Sequence, residues 1–349
     1  MEKEFKVNNF DLLRIFAATQ VVLAHGVAHL GIAKPGWWPI VDAFPGVPIF
    51  FAISGFLISA SFERSSSLAN YLRNRFLRIY PALWCCVLLT VVVAACFGFS
   101  FFNAQALLWI PTQLVGLIYT PGFLRSFGFG SYNGSLWTIP IELQFYLLLP
   151  IAYLVSRSET RRTLLIGLAF VAFVIAGYLF ARVTPPLGEL ESEPLAHKLL
   201  RYSFIPHIYL FLAGMLLQRW HVQRSKWIAG KGPLWLAAFL VFHFALPYSP
   251  ATYIIGTLLL GVAAVSIAFT APKVSSLVLR GNDISYGVYI YHGLIINLLL
   301  ERHIHGHAGH LVLVVVLTFI AGFASWRFVE RPFLKRKRQT IHPADAARA

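Results

Sequence analysis

Apolar runs of roughly 18 residues or more recur along the whole chain. A run of that length with few charges is what one helix needs to cross about 30 Å of hydrocarbon. Nothing else in the sequence restricts the fold so strongly, because in lipid every backbone N–H and C=O must find a partner without water. Of the 349 residues, 58% are hydrophobic and 12% charged, too little polar surface to cover a soluble domain of this size. The expected fold is all-α: a polytopic transmembrane helical bundle of about ten spans, at 11–30, 45–62, 79–99, 136–155, 163–181, 203–217, 233–247, 252–271, 284–300 and 309–326.

Ten spans put both termini on one side of the membrane. With that side cytoplasmic, 22 of the 29 Lys and Arg fall in cytoplasmic segments, six fall outside and Arg14 lies within the first span. Lys and Arg are enriched in short cytoplasmic loops, so this ratio sets the orientation. The net charge of +15 therefore reports topology, with the lipid bilayer as partner and no nucleic acid. Residues 1–335 read as a membrane-embedded domain and 336–349 as a basic cytoplasmic tail. The first run lacks a cleavage site and is expected to be a retained span. Cys85, Cys86 and Cys96 share the third run and have no exported partner, so free thiols are expected.

Several segments between and within the spans are informative. The piece 104–120 is apolar, but counting it as a span would place Arg157, Arg161 and Arg162 outside, so it reads as interfacial or re-entrant. Ser54 and Gly55 form a small pair in mid-run, suited to close helix approach or to a narrow ligand. The loop holding Glu189, Glu191 and Glu193 is expected outside. The turn "HIHGHAGH", with His303, His305, His307 and His310, reads better as a solvated external loop than as a metal site, and no metal is expected.

Ionisable groups in a bilayer are costly and default to function. Arg14 and His25 are eleven positions apart, within about 20° of sharing one line along a helix and about 16 Å apart along its axis. Asp11 and His29 extend the same polar face, which suits an aqueous or ligand-filled channel. The simpler alternative is a snorkelling Arg14 and a structural hydrogen bond from His25. Glu142 lies at a similar depth to His25, near the outer third, and a carboxylate beside an imidazole is the arrangement of an oriented general base. Trp137 is placed to stack on a sugar ring, or to anchor at the interface. Arg73, Arg75 and Arg78 stand at the cytoplasmic side near Arg14, able to clamp phosphates of a cytosolic donor.

Six motifs in order carry a family resemblance. They are Arg14-x10-His25, "GVPIFFAISGFLIS", "RFLRIYPALW", "NGSLWTIPIELQFYLLLP", "ISYGVYIYHGLI" and "FVERPFL". Over about residues 8–335 the chain resembles the acyltransferase-3 family of integral membrane O-acyltransferases of bacteria. Where many relatives carry a second acid this chain has Leu143, which leaves Glu142 as the only carboxylate of its block; Pro48 stands where many have Asp. No C-terminal hydrolase-like domain of the kind some relatives carry is expected, and the acyl group is then expected to reach its acceptor within the membrane domain.

The resemblance implies acyl-CoA, usually acetyl-CoA, as cytosolic co-substrate and a carbohydrate hydroxyl as acceptor, at the bacterial inner membrane. On that reading Arg14, Arg75 and Arg78 hold the donor's phosphates, and the extended pantetheine arm covers the distance to His25. His25 deprotonates the acceptor or carries the acyl group briefly, with Glu142 orienting its ring. Ser54 or Tyr289 would donate to the developing oxyanion, and Trp137 would meet the acceptor. The competing expectation is a proton-coupled transporter or flippase of a glycan-related substrate, using His25 and Glu142 as its proton relay.

Overall fold

The computed structural model describes residues 8–156, 158–184 and 194–336, and among them every regular element is a helix. The main ones are α1 (Phe10–His29), α2 (Gly46–Glu63), α3 (Leu68–Cys96), α4 (Ala104–Leu114), α5 (Thr138–Leu154) and α6 (Glu159–Val183). They are followed by α7 (Ile208–Arg219), α8 (Gly232–Ala245), α9 (Pro250–Ala268), α10 (Ser285–Glu301) and α11 (Ala308–Ser325). Local chemistry sets several ends. Ser158 caps α6 on the Arg161 N–H, and Ser249 with Thr252 forms a capping box ahead of Pro250 at the start of α9.

Each of the ten expected spans overlaps a helix, and seven helical segments are long and apolar enough to cross a membrane. The other three, α7, α8 and α10, have 12, 14 and 17 residues, which gives lengths of about 18, 21 and 26 Å. The 104–120 piece contains only the 11-residue α4, capped by Asn103 and followed by irregular chain. At about 16 Å it is too short to span. The third span departs from expectation at its start. Tyr80-Pro81 does not open α3, which begins at Leu68 and runs through Pro81. A helix can absorb an interior proline by giving up one hydrogen bond, so Arg73, Arg75 and Arg78 lie on α3 and not in a loop. Beyond α11 the chain continues through a π-turn, Trp326–Glu330, into Arg331–Leu334. Arg157, the loop of Glu189, Glu191 and Glu193, and the basic tail after 336 lie outside the described residues.

The chain divides into two compact units. The first comprises the described residues up to Arg14, Val47–Leu68 and those of Ile141–Gly281. In it α6 packs on α7 and α9, and α8 pairs with α9. α2 and α7 approach closely: a Cβ on Gly55 would collide with the Phe211 backbone, and one on Gly214 with the backbone of Ala52. This is the packing use of the Ser54-Gly55 pair. Along α6, Leu164, Leu168, Val171, Ile175, Leu179 and Val183 recur at helical spacing and are each more than half exposed. An outward apolar stripe of that kind belongs in lipid.

The second unit comprises Ile15–Gly46, Ala69–Pro140 and the described residues from Asn282 onward. Its centre is α10, buried along nearly its whole length and paired with α11. The pair is tight because Gly287 and Gly322 face each other. Asp283 holds the start of α10 through the Ser285 N–H at 3.3 Å and the Ser285 hydroxyl.

Candidate active site

The site grows out of α10, an apolar helix that carries polar side chains in a fully buried position. His292 has no exposed surface, and neither has Asn297. Asn297 is satisfied by the loop before α5: its amide donates to the carbonyls of Ser131 at 2.8 Å and Tyr132 at 2.9 Å, and its oxygen accepts the Phe129 N–H at 3.2 Å. Glu301 accepts the Gly128 N–H at 2.7 Å. Gly128 has φ +59°, and a Cβ there would run into Asn297, so glycine is needed for the turn to reach the helix. One turn back, Gly293 leaves room for Asn133 and Ser135, and Asn133 donates to the Ile290 carbonyl at 2.8 Å. The chain that follows α4 is therefore an ordered loop fastened along α10.

Against this core lies the C-terminal half of α1. His25 is half-buried, and its Nδ1 is 3.0 Å from His292 Nε2. The two rings have centroids 5.0 Å apart, inclined at 53°. The other ring nitrogen of His292, Nδ1, meets the Tyr289 carbonyl at 2.6 Å. The Tyr289 hydroxyl is 2.8 Å from the hydroxyl of Thr138, at the start of α5. His29, one turn beyond His25, stacks on Phe129 of the fastened loop at 3.8 Å and 9°. Two imidazoles therefore stand in series, one fully buried and one half-buried, an arrangement able to pass a proton between them.

The other expected residues fall as follows. Arg78 is paired with Asp283 and lies 3.8 Å from Glu330, which also accepts a hydrogen bond from Ser325. Arg75 lies one turn away on α3, its guanidinium 5.9 Å from the Tyr71 ring. Trp137 is half-buried in the 3₁₀ turn that leads into α5. In the first unit, Arg14 pairs with Asp11 at 3.5 Å, and Glu142 accepts a hydrogen bond from Tyr146 on its own helix. Ser54 is buried beside Gly55. On the face of α1 between Arg14 and His25, Ala18 and Val21 are buried and apolar. Among the described residues no group of three His, Cys, Asp or Glu comes together as a metal site, and the side chains of the 303–310 turn are largely exposed.

The family model described as an acyltransferase domain, acyltransferase-3, matches residues 7–327. The chain belongs to the acyltransferase-3 family. Among the similar curated proteins, Nodulation protein 10 of Rhizobium leguminosarum bv. viciae is 30% identical, covering 96% of this chain and 95% of the relative. The O-acetyl transferase of Shigella phage Sf6 is 28% identical over 95% and 97% of the two chains. The peptidoglycan O-acetyltransferase OatA of Listeria monocytogenes is 26% identical over 94% of this chain and 56% of its own length. No solved structure matches.

This acyltransferase is a multi-pass membrane enzyme, and in its candidate site His292 is the residue that spacing along the chain does not single out. It follows Tyr289 in the ninth apolar run, and the signal that marks His25 marks it equally: an ionisable ring in a segment meant for hydrocarbon. What no spacing contains is the pairing, which joins residues 267 positions apart.

Proposed function

We propose that this acyltransferase moves an acetyl group from cytosolic acyl-CoA to a hydroxyl of a cell-surface or exported carbohydrate at the bacterial inner membrane. The observation that carries the reading is the His25–His292 pair, in a chain whose relatives include named O-acetyltransferases. His25, half-buried, is the general base that takes the acceptor's proton. Glu142 is retained as the second catalytic candidate, and Trp137 supplies an apolar ring face for a sugar. Tyr289 and Ser54 are hydroxyl donors available to the oxyanion. Arg14 and Arg75 contact the donor's phosphates. Arg78 is assigned differently from its neighbours, because it is already committed to two carboxylates.

The test is transfer of label from acetyl-CoA by the purified protein in lipid, with membrane glycan as acceptor. The wild type is expected to transfer, and His25→Ala to lose about 10²–10⁴-fold, the range of a positioned base. A protein that moves glycan across the membrane without consuming acetyl-CoA would sink the reading.

A further inference from the structure

His292 fixes which nitrogen of His25 can take a proton. A carbonyl oxygen only accepts, so the contact between His292 Nδ1 and the Tyr289 carbonyl puts a hydrogen on that nitrogen. A neutral imidazole carries one N–H, so Nε2 of His292 presents a lone pair. Its partner, His25 Nδ1, is then the donor. The lone pair of His25 is left on Nε2, the nitrogen turned away from His292.

The supports of this chain are polar and uncharged. Thr138 meets the Tyr289 hydroxyl, Asn133 bonds the Ile290 carbonyl, and the Gly293 backbone packs against Asn133 and Ser135. A second titratable ring beside His25 is His29, 5.5 Å away and edge-on.

We propose that His292 is a positioning residue for acyl transfer: the series Tyr289 carbonyl, His292, His25 holds His25 as the Nδ1–H tautomer, with Nε2 as the base. This rests on His25 being the general base. In the transfer, the acceptor O–H bond breaks and its proton goes to His25 Nε2. The acceptor oxygen bonds to the acyl carbon, the carbon–sulfur bond breaks, and the departing thiolate takes the proton back from Nε2. While His25 is protonated, its Nδ1–H continues to donate to a neutral ring. His292 thus does what an orienting carboxylate does elsewhere without burying a net charge.

The tautomer can be read directly by nitrogen NMR on protein labelled with 15N-histidine in lipid nanodiscs, the His25 signals being assigned by their loss in His25→Ala. The expected result is a protonated Nδ1 and a bare Nε2; a protonated Nε2 with bare Nδ1 overturns the proposal. Two variants extend the test. His292→Gln can still accept from Nδ1–H, whereas His292→Phe fills a similar volume and cannot. Transfer from labelled acetyl-CoA should fall about 100-fold or more in kcat for the Phe variant, with KM little changed, and return to within about tenfold of wild type for the Gln variant. The His25 signals of the Phe variant should divide between tautomers. Full activity in His292→Phe overturns the proposal, as do equal losses in both variants with the tautomer unchanged, which would make His292 a packing residue. Failure of the underlying reading looks different: His25→Ala would transfer normally whatever tautomer the wild type shows.

Discussion

Arg78 has 15% of its side chain exposed and faces two carboxylates more buried still, Asp283 at 11% and Glu330 at 2%. Removing the cation from such a trio strands buried negative charge, which costs about 3–5 kcal/mol. Arg78→Ala should therefore lower the thermal midpoint of the protein in detergent by several degrees. A phosphate-gripping arginine would instead raise KM for acyl-CoA and leave the midpoint in place. At this scale sequence reasoning locates groups but does not pair them. Ionisable side chains in apolar runs identify His25, Glu142 and Arg14 as worth attention. The partner of Arg78 lies 205 residues away and that of His25 lies 267 away, and such pairings are products of the tertiary fold.

Elements are far more legible. Hydropathy alone places a helix at every position where one occurs at span length, because the bilayer imposes both length and composition. The exceptions have local causes. Tyr80-Pro81 marks the start of α3 only if the proline is taken as a first-turn residue; in the helix interior it leaves the basic stretch from Leu68 onward helical. α7 is shorter than its apolar run, since the residues ahead of it form turns whose Phe204 N–H is held by Gln144 at 3.0 Å. The α2–α7 crossing gives the prediction proper to this scale. Gly55→Val inserts a branched side chain where even a Cβ meets the Phe211 backbone, so it should destabilise by about 1–3 kcal/mol or more. A fall in folded yield and in thermal midpoint would register it, while Gly36→Val, with nothing within 4 Å, serves as the neutral control.

For the whole molecule, composition and charge distribution carry the argument. The exposed stripe of α6 fits lipid, and the distribution of Lys and Arg predicts the orientation. In a Cys96→Ser background, a cysteine at His305 should react with a membrane-impermeant thiol reagent on intact cells. A cysteine at Lys226, also exposed, should react only after permeabilisation. The reverse pattern would invert the orientation. What composition does not contain is how far from the chemistry its dependencies extend. Asp283 sits just before α10, whose first residue, Ser285, lies seven residues ahead of His292, or about 10 Å along the helix. Because Asp283 anchors the first residue of that helix, a lesion at Asp283 is expected to shift an imidazole it never touches. If His25 and His292 act as proposed, the charge trio at the root of that helix should matter to activity as well, and mutational maps should show two separate patches of activity loss joined by a single helix.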